Sequence, residues 1–465
     1  LKKIEQVGLS YLSLDRSIPT LSGGEAQRLK IATQFGSSFT NVLYIMDEPS
    51  KGLHPRDYGF LIKTISDLKK LNNTIIMVEH KNAFKEIADY LIEIGQGAGK
   101  YGGELIRAEE IVKENNILKY DKEADIDITR LQDYDYLEKL DLKPIGESMT
   151  RDKLLEVRGI TTNNLKNIDI TIPLSKLTCI VGVNGSGKSS LISETLYPAI
   201  LKATGKKTES IGRYKEIIGA CNLKEVHYVS QKPIGKTPRS NPGTYTGVFD
   251  LIRDFYSRLE AAKEGKLTKE HFSFNSKKGQ CPECKGAGQI AVPMHFMPDI
   301  YTVCSKCKGR RYLDKVLEVK YKGYSIADLL ELEIKEVKEI FREQEKIYTI
   351  LDMLDKVGVA YIKLGQSATT LSGGEAQRIK LAKELCSGKT KDVLYILDEP
   401  TTGLHDKDVQ KLINILGELT NNGATVIVIE HNPMLIKRGD FVIEMGPEGG
   451  DLGGYIIREG WLGHK

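Results

Sequence analysis

The sequence predicts an α/β protein in which a parallel-sheet domain is built twice, the first time only in part, with a small cysteine module set into the second copy. Three observations predict it. Long blocks recur at offsets of 350 and 351 residues, their apolar runs have strand length and alternate with amphipathic helix-length segments, and two C-x-x-C pairs occur in the second copy alone.

The recurrence is extensive. "VGLSYLSLDRSIPTLSGGEAQRLKIA" (7–32) matches "VGVAYIKLGQSATTLSGGEAQRIKLA" (357–382), "VLYIMDEPSKGLH" (42–54) matches "VLYILDEPTTGLH" (393–405), and "VEH" (78–80) matches "IEH" (429–431). One residue of slippage across three blocks marks a duplicated domain, with a period far too long for a solenoid. In each copy a helix opens at Ser-Gly-Gly and leads to an apolar strand ending in Asp-Glu-Pro. An amphipathic helix follows ("DYGFLIKTISDLKKL" in the first copy), then a second apolar strand ending in Glu-His. Fully apolar strands separated by helices predict a mostly parallel sheet covered on both faces. Only the second copy has an upstream part, running from "KLTCIVGV" to "VHYVSQKPIG". The expected division is therefore 1–107, the later part of a first domain; 108–152, a charged linker with marginal helices; 153–270, the upstream lobe of the second domain; 271–325, the cysteine insertion; and 326–465, the later lobe.

At 465 residues the chain has room for about three domains. Its 40% hydrophobic and 28% charged content is that of a globular protein. The longest apolar runs, such as "TIIMV" and "TVIVI", are strand-length, so no membrane span is expected, and "LKKIEQVGLS" lacks the apolar core of a secretory signal. A net charge of +4 is too small to name a partner. Seven cysteines, four of them paired as C-x-x-C, point to metal ligation in a reducing, cytoplasmic setting. Cys179, Cys221 and Cys386 lie in or near apolar segments and read as small core residues.

"GVNGSGKS" (182–189) fits G-x-x-x-x-G-K-[ST], directly after an apolar strand and before "SLISETLYPA", a predicted helix. Gly182, Gly185 and Gly187 let backbone N–H groups converge on phosphate oxygens, and Asn184, Ser186 and Ser190 complete the candidate phosphate-binding set. Lys188 is placed to bridge the β- and γ-phosphates and Ser189 to ligate Mg²⁺. Asp398, at a strand end, can hold Mg²⁺, while Glu399 can polarise the attacking water; Asp47 and Glu48 repeat the pair. His80 and His431 end apolar strands, suited to contacting a γ-phosphate.

Phosphate loop, "SGGE", "LDEP" and a strand-end histidine in this order resemble the ATP-binding cassette (ABC) superfamily. The resemblance implies two ABC-type nucleotide-binding domains, the first one partial, facing head to tail, so that Ser-Gly-Gly of one closes over ATP held by the other. A helix opening there offers bare N–H groups and positive dipole to the γ-phosphate. It implies one composite site from Gly182–Ser189, Gln231 (the Mg²⁺- and water-sensing position), Asp398, Glu399 and His431 with Ser22, Gly23 and Gly24. The reciprocal site has Asp47, Glu48, His80, Ser372, Gly373 and Gly374 but no phosphate loop.

Cys281, Cys284, Cys304 and Cys307 form C-x₂-C-x₁₉-C-x₂-C, the spacing of a closed tetrahedral Zn²⁺ site. Glycines two residues after the second cysteine of each pair suit tight knuckle turns. Residues 277–322 carry ten Lys/Arg against four Asp/Glu. Lys277, Lys278, Lys306, Lys308, Arg310 and Arg311 flank the cysteines, as a basic knob following a DNA backbone would require. "VPMHFMPD" (292–299) reads either as a hairpin tip or as a packed loop. C-x-x-C-x-G-x-G also resembles the cysteine-rich module of J-type co-chaperones, but that family repeats it four times and has no ATP site.

With "NNLKNIDITIPLSKLTCIVG", "KTPRSNPGTYTGVFD", "LSGGEAQR" and "GLH", a zinc module between phosphate loop and signature closely resembles the UvrA family, a component of the bacterial excision-repair nuclease. The match covers nearly all of 1–107 and 153–465. It implies a damage-sensing ATPase with ATP, Mg²⁺ and Zn²⁺, acting on damaged duplex DNA as a homodimer. Such a protein cuts nothing itself but loads the excinuclease B subunit. The chain departs from the pattern at the absent first phosphate loop, at Lys51 (where the second copy has Thr402), at Val183 and Asn184, and in the linker. Two alternatives follow: a UvrA-like protein giving self-resistance to DNA-binding drugs, and an ABC ATPase with no DNA role.

Overall fold

The computed structural model describes residues 39–50, 58–79, 81–85, 87–95, 102–111, 140–144 and 153–463 apart from 209, 231, 236, 238, 293–299, 387, 389, 390 and 405, together with isolated positions before residue 39. In the first copy, β1 (Leu43–Asp47) and β2 (Thr74–Val78) pair in parallel, joined through the helix Tyr58–Lys70. That helix buries Tyr58, Leu61, Ile62, Ile65 and Leu68, the three-and-four spacing of a single helical face. β3 (Tyr90–Ile94) and β4 (Leu105–Glu110) form an antiparallel pair.

The second copy contributes β5 (Leu142–Lys143), β6 (Leu154–Ile160), β7 (Ile168–Pro173), β8 (Leu177–Gly182), β9 (Glu216–Ile218), β10 (Glu225–Val229), β11 (Gln289–Val292), β12 (Ile300–Val303), β13 (Lys320–Tyr321), β14 (Tyr324–Ser325), β15 (Val393–Asp398), β16 (Thr425–Ile429), β17 (Phe441–Gly446) and β18 (Tyr455–Leu462). Seven of these make one sheet in the order β10-β15-β16-β8-β17-β18-β5. The first five are mutually parallel, and β18 and then β5 are added by antiparallel pairings. The expected α/β class with a mostly parallel sheet is thus what the chain adopts. The edge strand β5 comes from within 108–152, and the marginal helices expected there fall outside the described residues.

Strand period 2 sends alternate side chains to two cores. On one face Cys179, Val181, Tyr395, Leu397, Val426 and Val428 pack with the helices of the later lobe. On the other, Ile180, Leu394, Ile396, Ile427, Ile429 and Ile443 pack under the antiparallel sheet β7-β6-β9 and the helical stretch carrying Leu191, Leu196 and Ile200. Phe272, Phe274, Tyr312, Val316 and Leu317 join the first core, so the cysteine insertion is rooted in the sheet domain rather than tethered to it.

The two copies differ at one strand. β8 lies between β16 and β17, and the first-copy counterparts of those two, β2 and β3, have no strand between them among the described residues. Ile45, Ile76, Val78, Ile92 and Ile94 are between 52% and 72% exposed, whereas their counterparts Ile396, Ile427, Ile429, Ile443 and Met445 are at most 3% exposed. In the second copy that face is covered by the lobe that carries the phosphate loop.

Candidate functional site

β8 delivers the chain into the loop 182–189 at its carboxyl end, where a parallel sheet opens its binding crevice. The loop needs its glycines. Gly182 and Gly187 have φ of +143° and +105°, and a Cβ on them would lie 2.2 Å from the Met445 carbonyl oxygen and 2.6 Å from Leu165 Cδ2. Asn164 braces the outside by donating to Gly185 O (2.9 Å) and Gly450 O (3.0 Å). Ser186 is buried, Ser189 is exposed, and the Ser190 hydroxyl accepts from Asn163 at 3.0 Å. Lys188 Nζ folds back on the loop, donating to Gly182 O (2.7 Å) and Val183 O (2.8 Å). Its helix passes through a π-helical turn at Ile192–Leu196 before continuing at Tyr197–Ala203. A loop that excludes Cβ atoms and converges backbone groups on a lysine fits a nucleotide triphosphate.

Asp398 ends β15 beside this loop. Burial raises its pKa, opposed by a hydrogen bond from Tyr228 Oη (3.3 Å) and by the charge of Lys188. Glu399 follows with φ +48°, its N–H donating to Ile429 O at 2.9 Å, and His431 Nε2 lies 4.0 Å from its Oε1. The first copy repeats the geometry. Asp47 ends β1, Glu48 has φ +44°, and its N–H donates to Val78 O at 2.9 Å. The copies also approach one another, because a Cβ on Gly403 would lie 4.0 Å from Glu48 Oε1.

Ser372 caps the helix Gly373–Leu385 in a capping box. Its hydroxyl accepts from Glu375 N (3.3 Å), and its own N–H donates to Glu375 Oε2 (2.7 Å). Gly374 must be glycine, since a Cβ there would sit 2.5 Å from Thr402 O. Further along, Gln377 Nε2 donates to Val229 O (3.0 Å) and Asp398 O (2.7 Å). Lys380 Nζ donates to Ser230 O (3.0 Å) and Lys232 O (2.6 Å), the carbonyls on either side of Gln231. One helix therefore grips the acidic strand and both flanks of the Gln231 position.

The four cysteine Sγ atoms of the insertion lie within 4.8 Å of one another, and all four are buried. Cys281–Cys304 and Cys284–Cys307 are 4.0 and 3.6 Å apart, close to the edge of about 3.8 Å in a tetrahedron of Zn–S bonds of about 2.3 Å. Gly286 and Gly309 have φ of +80° and +84°, as tight knuckles need. Burial pushes the Cys284 thiol up and the Cys307 thiol up to about 12, while N–H groups led by that of Cys307 lower Cys304. The four residues could hold a metal ion. β11 and β12 form the hairpin leading into and out of 293–299.

Lys277, Lys278, Lys306, Lys308 and Arg310 lie at the surface around this cluster. Lys278 pairs with Glu270 at 2.5 Å and Arg310 with Asp314 at 3.9 Å. Arg311 is different. Its φ of +70° turns the side chain inward, with the guanidinium 5.4 Å from the Phe274 ring centroid and Nη2 donating to Gly365 O at 3.3 Å. It braces the module against the segment leading to Ser372. Of the other cysteines, Cys179 is buried and Cys386 half-buried, but Cys221 is exposed, because it sits in a short 3₁₀ turn between strands rather than in the core.

A family model described as ABC transporter matches residues 286–402. The chain is 48% identical over 457 residues to UvrABC system protein A of Staphylococcus epidermidis (strain ATCC 35984), covering 98% of this chain and 48% of that protein. It is 46% identical over 460 residues to the same protein of Staphylococcus aureus (strain COL), covering 98% and 47%. The crystal structure of UvrA2 from Deinococcus radiodurans matches with a TM-score of 0.84 and 39% identity, covering 99% of this chain and 54% of that one. The chain belongs to the UvrA family. It spans about half the length of the relatives it matches.

In this UvrA-family chain, Ser22, Gly23, Gly24, His80, Gln231 and Lys51 lie outside the described residues. The structure brings Gly182–Ser189, Asp398, Glu399 and His431 to one end of the second sheet, with Ser372–Gly374 close to the turn that follows Glu399. Sequence reasoning missed Gln377, Lys380 and Glu430. A signal existed for the first two, since S-x-x-E marks a capping box and so fixes which helical face points at the acidic strand. No helix among the described residues is long and apolar enough to cross a membrane.

Proposed function

We propose that this chain binds and hydrolyses ATP with Mg²⁺ as part of a UvrA-type excision-repair protein that recognises damaged duplex DNA and loads the excinuclease B subunit, without nuclease activity of its own. The observation that carries the reading is Lys188, held in a glycine cradle within electrostatic reach of Asp398, with Glu399 and His431 beside it. ATP would draw the Lys188 ammonium off the two loop carbonyls and onto its β- and γ-phosphate oxygens. Mg²⁺, held by Ser189 and Asp398, would neutralise charge developing on the phosphates. Glu399 orients the attacking water, and His431 and Gln231 contact the γ-phosphate and its water. Ser22, Gly23 and Gly24 close the same site, while Ser372, Gly373 and Gly374 face the reciprocal site of Asp47, Glu48 and His80.

The cysteine cluster is proposed to hold a structural Zn²⁺, because four buried thiols leave no open coordination position. The outward-facing Lys277, Lys278, Lys306, Lys308 and Arg310 would follow the phosphate backbone, with lesions sensed through duplex deformability rather than base sequence. Homodimerisation, a cytoplasmic location and the division at 107, 152, 270 and 325 belong to the same proposal. Replacing Lys188 by Ala removes the only phosphate-loop lysine in the sequence and should abolish ATP turnover. Undiminished hydrolysis by that variant would overturn the assignment.

A further inference from the structure

Both recurring "Glu-His" blocks contain a glutamate to which the proposed chemistry gives no task. Glu430 is 2% exposed at the end of β16. Its Oε1 accepts the Thr401 N–H at 2.8 Å, and its Oε2 accepts the N–H groups of His431 (2.8 Å) and Asn432 (3.0 Å). The first copy repeats this at an offset of 351. Glu79 Oε1 accepts Ser50 N–H at 2.8 Å and Oε2 accepts Lys81 N–H at 3.4 Å. Burying a carboxylate at a strand end is costly unless its bonds are needed. Here both oxygens accept, on opposite sides, and an amide or hydroxyl side chain has one acceptor oxygen only.

What the two sides hold makes the pairing informative. Thr401 opens the turn after Glu399, in which Gly403 abuts Glu48 of the other copy and Thr402 O abuts Gly374. His431, on the opposite branch, faces Glu399. We propose that Glu430 is a positioning residue that locks the turn 401–403 to the backbone of His431, so that contact with the first copy sets the histidine of the second copy's site; Glu79 likewise ties Ser50 to Lys81 in the first copy. The inference rests on the ATPase reading for its consequence, but not for its geometry. A contiguous, hydrogen-bonded connection between two sites becomes coupling only if perturbing one end is felt at the other.

The test uses Glu430→Gln, which keeps the volume and replaces one acceptor by a donor. Amide exchange, measured without nucleotide, should accelerate about tenfold or more at Thr401 or at His431 and Asn432, the signature of a lost bond. Wild-type exchange at all three overturns the positioning role whatever the ATPase does. For the coupling, kcat should fall about tenfold with KM for ATP changed less than about twofold, because the phosphate loop is untouched. Gly403→Ala, strained at φ +70°, should lower kcat in the wild type yet add little to Glu430→Gln. Effects that multiply independently would refute the coupling. Should Glu430→Gln not fold, Glu79→Gln with the Ser50 amide as readout carries the same prediction at a less buried site. Failure of the ATP assignment itself would show separately, as Lys188-independent turnover.

Discussion

Gln377→Leu should destabilise the second sheet by about 2–4 kcal/mol. Gln377 is 1% exposed, and its Nε2 serves two carbonyls, Val229 O at 3.0 Å and Asp398 O at 2.7 Å. Two neutral bonds contribute about 1 kcal/mol each, and stranding their acceptors adds about 1–3 kcal/mol more. Against this, Gln377 Oε1 has no partner among the described residues, so deleting it returns about 1 kcal/mol. Leucine fills nearly the same volume, so no cavity term enters. The chain has one tryptophan, Trp461 on β18, packed edge-on to Phe441 of β17 at 5.4 Å and 76°, and its fluorescence reports this sheet alone. With a urea slope of about 3 kcal/mol/M the midpoint should drop by about 1 M. Gln377→Glu should be worse than the leucine variant, because it buries a charge against two carbonyl oxygens. A leucine variant as stable as wild type, or a glutamate variant no worse than leucine, would refute the claim that this amide ties the signature helix to the acidic strand.

Metal analysis should find about one zinc per chain, and Cys307→Ser should lose it; full zinc content in that variant would reject the four-thiol site. Replacing Lys306, Lys308 and Arg310 by Ala should flatten the salt dependence of duplex affinity by up to about three log units per log unit of salt. Arg311→Ala should instead leave that slope unchanged and lower the urea midpoint, as its guanidinium is stacked on Phe274 and bonded to Gly365 O. If Arg311→Ala changes the slope as the other three do, the inward placement is not the solution structure.

The repeat, the phosphate loop and the cysteine spacing were legible in sequence because each is a local pattern with a fixed geometric demand. Gly182 and Gly187 announce themselves through backbone angles that other residues avoid, and C-x₂-C pairs through the turns they must make. Arg311 was misleading for the opposite reason. Charge and nearness to a cysteine pair are the same for Arg310 and Arg311, and only the backbone turn at Arg311, set by its carbonyl accepting the Cys281 N–H at 2.8 Å, sends one outward and the other in. Glu430 was illegible because its partners are backbone N–H groups, which carry no sequence signature; for Gln377 and Lys380 the capping box gives the helical face but not the backbone carbonyls that the face meets. Ser230 O and Val229 O lie about 150 residues from the side chains that bind them.

The same distinction explains the first copy. Its strands have the apolar sequence of strands buried on both faces, and the expectation of a doubly covered sheet holds where the chain supplies both covers. The helix Tyr58–Lys70 covers one side, leaving Met46 and Leu68 buried. Ile45, Ile76, Val78, Ile92 and Ile94 point to the other, the side that β6, β7 and the phosphate-loop helix cover in the second copy. Burying five such side chains is worth about 1.5–3 kcal/mol each, a sum comparable to the whole stability of a domain. Strand sequence thus records a covering lobe that the described part of the first copy does not provide.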